Sequence, residues 1–243
     1  MLPELILREE QADNFPLLFV LGVVSSAAGF FAAKALFPSE VSVLSVVFAS
    51  IPLVYPLATK FLEDEKAEGE SYLEEIKIYL SLFAGEAVGF TMIGLSRPDM
   101  LTLQAQVAGI SGMATQPVSF MSIFMNNMMV FFGILAVSAV IGSAGAFILV
   151  WNASVLGKFF ASLLSRLDGI EVLTGSSQAA TPIAYIPHAT LEMTGFILAG
   201  ISGSMISAAV YREHFDWETW DHLVKLVLIG FACILAGALL ETA

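Results

Sequence analysis

Charged residues make up only 13% of this 243-residue chain, against about a quarter in soluble domains. That shortage excludes an ordinary water-facing surface. The 57% hydrophobic content and mean hydropathy of +0.83 point instead to a helical membrane bundle. Basic residues are scarcer than acidic ones, 10 Lys and Arg against 22 Asp and Glu. A nucleic-acid surface and a polybasic lipid-binding face are both excluded on that count. The single cysteine, Cys233, lies in an apolar run, so one chain can build neither a disulfide framework nor a thiolate metal site. The enzyme signatures H-E-x-x-H, G-x-S-x-G and G-x-x-x-x-G-K-[ST] are missing, and the polar segments are too short for a nucleotide-binding domain. No catalytic residue, metal or cofactor is expected. The opening MLPELILREEQADNF is acidic and has no basic n-region, so the first apolar run is expected to remain as a membrane span. Neither a low-complexity linker nor an internal repeat stands out.

What is present is a series of apolar runs, each able to cross a bilayer as a helix of about 20 residues. They predict one all-α membrane domain, 1–243, with spans at about 16–37, 40–61, 78–96, 118–151, 187–210 and 224–241. Pro52 and Pro56 should bend the second. LEDEKAEGESYLEEIK, 62–77, reads as an acidic juxtamembrane helix, and amphipathic 152–167 as an interfacial one. The fourth run is longer than one span needs, so tilting or an interfacial portion is expected. Phe215, Trp217 and Trp220 suit an interfacial aromatic belt. Six spans put both termini on one side with Arg8, Lys60, Lys66, Lys77, Lys158 and Arg166. The other side has Lys34, Arg97, Arg212 and Lys225, which leans toward cytoplasmic termini in a cell membrane.

Polar groups inside spans are costly and become the candidate site. Glu86 falls near mid-bilayer in the third span, flanked by Gly85 and Gly89. Its readings are a titrating carboxyl facing a cavity, or a hydrogen bond across a tight helix contact. Asn126 and Asn127 start the deeper part of the fourth run, on the side away from the termini. Asn152 closes that run. His188 and Glu192 share one face four residues apart and open the fifth span, so this topology lets them converge with Asn152 at one membrane face. Pro187 suits the first helical position, which would put His188 in the first turn. One His and one carboxylate are too few for a zinc site. Small residues at helix-packing spacing, Gly22, Ser25 and Gly29 among them, fit bundle packing, with a homodimer face on the first span as the alternative.

FMNNMMVFF, GSAGAFILVWNASVLG and IPHATLEMTGFILAGISGSMISAAV, in that order and spacing, resemble the stage II sporulation protein M family, most closely its archaeal membrane-protein branch. In that pattern an asparagine-bearing helix start is followed by W-N-A-S or N-G. A P-H-G or H-G motif comes next, with a glutamate four residues after the histidine. Asn126, Asn127, Asn152, His188 and Glu192 match it; Ala189 replaces the usual glycine. The resemblance implies a multi-pass membrane core. Bacterial members are scaffolds that recruit a peptidoglycan-degrading machine, a sporulation role that does not carry over to an archaeal-like chain. The expectation here is a non-enzymatic membrane scaffold or membrane-organising component. The lipid bilayer, an unidentified protein partner and a second copy are the expected partners. The alternative is a transporter or channel with a polar pathway past Glu86, His188 and Glu192. An intramembrane metalloenzyme ranks last.

Overall fold

The computed structural model describes residues 14–64, 73–112, 119–142, 144–165, 177–211 and 217–242. Eight helices carry them: α1 (Phe15–Leu36), α2 (Val41–Asp64), α3 (Leu73–Ser96), α4 (Thr102–Gly112), α5 (Phe120–Ile141), α6 (Ala144–Leu164), α7 (Ser177–Tyr211) and α8 (Trp217–Thr242). No strand occurs among the described residues. Local sequence sets the boundaries. Asn14 caps α1 by accepting from Leu17 N–H at 3.1 Å, with a proline in the first two positions. Ser119 caps α5 in the same way.

Among the described residues, six stretches are long and apolar enough to cross a membrane: Phe15–Leu36, Lys77–Ser96, Phe120–Ile141, Gly145–Leu164, Pro187–Tyr211 and Thr219–Thr242. The expected number is met by a different set. The run 118–151 is two helices, because Gly142 adopts φ +58° and its N–H closes α5 onto the Ser138 carbonyl. A positive φ is open to glycine at little steric cost, so the chain reverses there. The segment read as interfacial, 152–167, is largely the second part of α6, itself long and apolar enough to span. The second predicted span, 40–61, falls on α2, whose apolar described part, Val41–Leu53, is shorter than a full crossing. Residues 65–72 of the acidic lead-in 62–77 lie outside the described residues, as does Phe215.

Close contacts fix how the helices run. A Cβ at Gly22 of α1 would stand 2.8 Å from the Glu86 nitrogen on α3, and Gly157 of α6 abuts Ala87 and Phe90 of α3. Gly203 of α7 abuts Leu135 and Ser138 of α5, and Gly195 abuts Ile234 of α8. With the turn at 37–40 and the reversal at Gly142, α1, α3, α6 and α8 run one way and α2, α5 and α7 the other. Phe15 and Thr242 therefore lie at opposite ends of the bundle, which corrects the expectation that both termini share a side. The basic-residue count behind cytoplasmic termini loses its basis as well. Lys158, assigned to the side of the termini, donates to the Pro98 carbonyl beside Arg97 at 2.8 Å.

The main core lies between α1, α2, α3 and α6, around Leu18, Val46, Leu82, Phe90 and Val150, with a smaller cluster between α5, α7 and α8 around Phe131 and Ile234. Gly22, Ser25 and Gly29 are all buried within this one chain, so they pack the bundle and do not form a homodimer face. Val20, Phe31, Met125, Met129, Phe132 and Leu228 stay exposed on the outer helices, as a lipid-facing surface requires. Tyr211, Trp217 and Trp220 are exposed around the α7–α8 connection, where an interfacial aromatic belt would lie.

Candidate functional site

The hairpin at Gly142 decides where the polar residues meet. Because α6 carries the chain back across the bundle, α7 starts at the same end as α5 and runs parallel to it. Asn127, buried on α5, then donates through Nδ2 to Oε1 of Glu192 on α7 at 2.6 Å. Asn126 Nδ2 reaches Asn127 Oδ1 at 3.5 Å, a marginal contact, and Asn126 itself is exposed. His188, one turn before Glu192 and 8% exposed, belongs to the same packed contact. Helix α8 closes it: a Cβ at Gly237 would meet Glu192 Cγ at 2.8 Å and the His188 carbonyl at 3.2 Å. Glu241 follows one turn further along α8.

This grouping differs from the expected one. Asn126 and Asn127 are on the same side as His188 and Glu192, not across the membrane from them. Asn152 is the residue left out. It lies within α6, where its Nδ2 bonds back to the Ile148 carbonyl at 2.8 Å. Beside it is a cavity with room for about one water molecule, bounded by Tyr79, Phe83, Ile148, Met193 and Phe196. Pro187 does not open its helix either. α7 begins at Ser177, so His188 lies eleven residues past the start and the helix-terminus argument for it fails.

Glu86 stands apart from this cluster. It sits on the buried face of α3, fully inaccessible, and both carboxyl oxygens lack a hydrogen-bond partner among the described residues. It does not line the cavity. Among the described residues no three or more His, Cys, Asp or Glu gather in a way that could hold a metal ion.

Two polar contacts escaped the sequence reading. Ser42 Oγ meets Gln104 Oε1 at 2.6 Å, while Gln104 Nε2 donates to the Ser42 carbonyl at 2.7 Å and Leu103 N–H to Ser42 Oγ at 3.0 Å. This clasp docks α4 onto α2 with its polar atoms satisfied. Lys158, 6% exposed, places its charge at the C-terminal end of α3, where the helix dipole favours a cation. A glutamine and a lysine in such apolar surroundings were the available signals, since each needs a partner when buried.

A bundle of six apolar spans, closed by side-chain hydrogen bonds in its interior, is the architecture of a multi-pass helical membrane protein. The sequence profile of the stage II sporulation protein M family matches residues 17–243, so the chain belongs to that family. No curated protein and no solved structure matches it.

Proposed function

We propose that this chain is a non-catalytic membrane scaffold, a rigid multi-pass body of the cell membrane that holds a protein partner in place. One observation supports the reading above the rest: five interior polar side chains, one on each of five helices, are committed to contacts between elements. Asn127–Glu192 ties α5 to α7, Ser42–Gln104 ties α2 to α4, and Lys158 ties α6 to the turn after α3. Such groups stabilise a fixed arrangement and leave little polar surface for a solute to follow. Against a pathway past Glu86, His188 and Glu192 stands the burial of Glu86 and a cavity lined by none of the three.

The test is reconstitution into proteoliposomes, paired with cross-linking in native membranes. A scaffold shows no ion- or pH-driven flux, and Asn127→Ala or Gln104→Leu reduces recovery of the cross-linked partner. Flux that Glu86→Gln or His188→Ala abolishes would replace this reading with the transport one.

A further inference from the structure

The helix starts recur. α1, α2 and α3 begin at 15, 41 and 73, and α5, α6 and α7 at 120, 144 and 177, displaced by 105, 103 and 104 residues. α1 and α5 are both 22 residues long, and each follows a side-chain cap, Asn14 or Ser119. Pairing the helices in this way exposes a sequence match that the uniform apolar composition hides. Phe15, Phe19 and Ala49-Ser50 recur as Phe120, Phe124 and Ala153-Ser154. On the third helix of each set, Tyr79, Glu86, Gly89, Phe90, Gly94 and Ser96 recur as Tyr185, Glu192, Gly195, Phe196, Gly200 and Ser202. The two sets run in opposite directions through the bundle.

The key contact recurs with them. In each set the first and third helices are parallel neighbours. Gly22 of α1 packs against Glu86 of α3, and Asn127, at the place of Gly22, bonds to Glu192, at the place of Glu86. Gly157 abuts Ala87, and Asn152 shares the cavity wall with Met193, so the two carboxyls lie within about one helical turn of each other in depth.

We propose that residues 14–96 and 119–202 are two inverted-topology repeats, and that Glu86 is a binding site for a small monovalent cation, a proton or an alkali ion. The argument rests on what differs between the repeats. At Glu192 an amide donor meets the carboxyl. At the equivalent place beside Glu86 stands Gly22, where a side chain would strike the Leu82 carbonyl at 2.6 Å. Glu86 is left fully buried with two oxygens that have no partner among the described residues, a costly state that a bound cation relieves.

No described side chain of the neighbouring helices supplies that cation. On α1 the one charged residue is Lys34, 12 residues from Gly22 and about 18 Å along the helix. On α6 it is Lys158, already bound to the Pro98 carbonyl. α7 has no Lys or Arg; His188 and Glu192 are in the other repeat's contact, and its tyrosines, Tyr185 and Tyr211, cannot supply a cation. Val41–Leu53 of α2 has none. In many membrane transporters, inverted repeats place coupling-ion sites near the midplane, at the interface between repeats. The inference goes beyond the scaffold reading and does not depend on it.

The test treats the purified full chain in detergent with dicyclohexylcarbodiimide, which modifies carboxyls in apolar surroundings, and maps the products by mass spectrometry with and without excess sodium chloride. Glu86 is expected to be modified well above Glu192 in the wild type. Several-fold protection by sodium identifies an alkali ion, and indifference to sodium identifies a proton. In Asn127→Ala, or Asn127→Leu where the smaller residue loosens the bundle, modification of Glu192 rises toward that of Glu86. Absence of modification at Glu86, or a Glu192 signal unmoved by both Asn127 variants, overturns the proposal.

Discussion

Asn127 donates a 2.6 Å hydrogen bond to Glu192 across 65 residues of sequence, joining α5 to α7 near a glycine of α8. Interhelical hydrogen bonds in membrane proteins contribute about 0.6 kcal/mol on average and up to about 1.7. Its short distance and the burial of Asn127 place this one toward the upper end. Thermal unfolding in detergent should show Asn127→Ala and Glu192→Ala each destabilised, with a double-mutant coupling of about 1–2 kcal/mol. Additive effects would mean that the two side chains do not act on each other.

Glycines on α5 and α7 should differ sharply in tolerance. A Cβ at Gly203 would stand 2.5 Å from the Leu135 carbonyl oxygen, whereas one at Gly133 meets nothing within 4 Å. Gly203→Ala is expected to cost about 1–3 kcal/mol through overpacking. Gly133→Ala should be neutral or stabilising by up to about 1 kcal/mol, from helix propensity alone. The comparison is a pair of melting curves, and equal shifts would contradict the packing described.

The clasp between Ser42 and Gln104 should hold α4 in place. Gln104→Leu leaves the Ser42 carbonyl and hydroxyl without their buried partner, at a cost of about 1–3 kcal/mol. Hydrogen exchange in the α4 segment, Thr102–Gly112, should rise while α7 and α8 stay protected. Uniform loss of protection across the bundle would assign the clasp a global role instead.

The fold class was legible because hydrophobic runs of spanning length are a coarse signal that survives ignorance of packing. The span assignment was not, and the reason is local. An apolar run can hold a reversal, and only Gly142, just past the last regular turn of α5, marked it. Taking 118–151 as one run makes Gly142 an interior residue and misses its positive φ. One missed reversal changed the side of everything that followed, so Asn127 and Glu192 were placed apart and Asn152 and His188 together. Pro187 misled in a related way, since a proline within a membrane helix is tolerated when neighbours satisfy the freed carbonyl. The pairing of Glu86 with Glu192 became visible only once helix starts and directions were fixed. In a chain this apolar, a handful of identities does not stand out unaided.

The arrangement turns on the reversal at Gly142, and side-specific labelling of single cysteines tests it most directly. In a Cys233→Ser background, cysteines at Ser39, Arg97, Ile141, Trp217 and Thr242 are probed with a membrane-impermeant maleimide on sealed vesicles of known orientation. Ser39, Arg97 and Thr242 should label from one side, and Ile141 and Trp217 from the other. An Ile141 cysteine shielded from both sides, with Trp217 labelling alongside Arg97, would restore the single long span and break the Asn127–Glu192 contact.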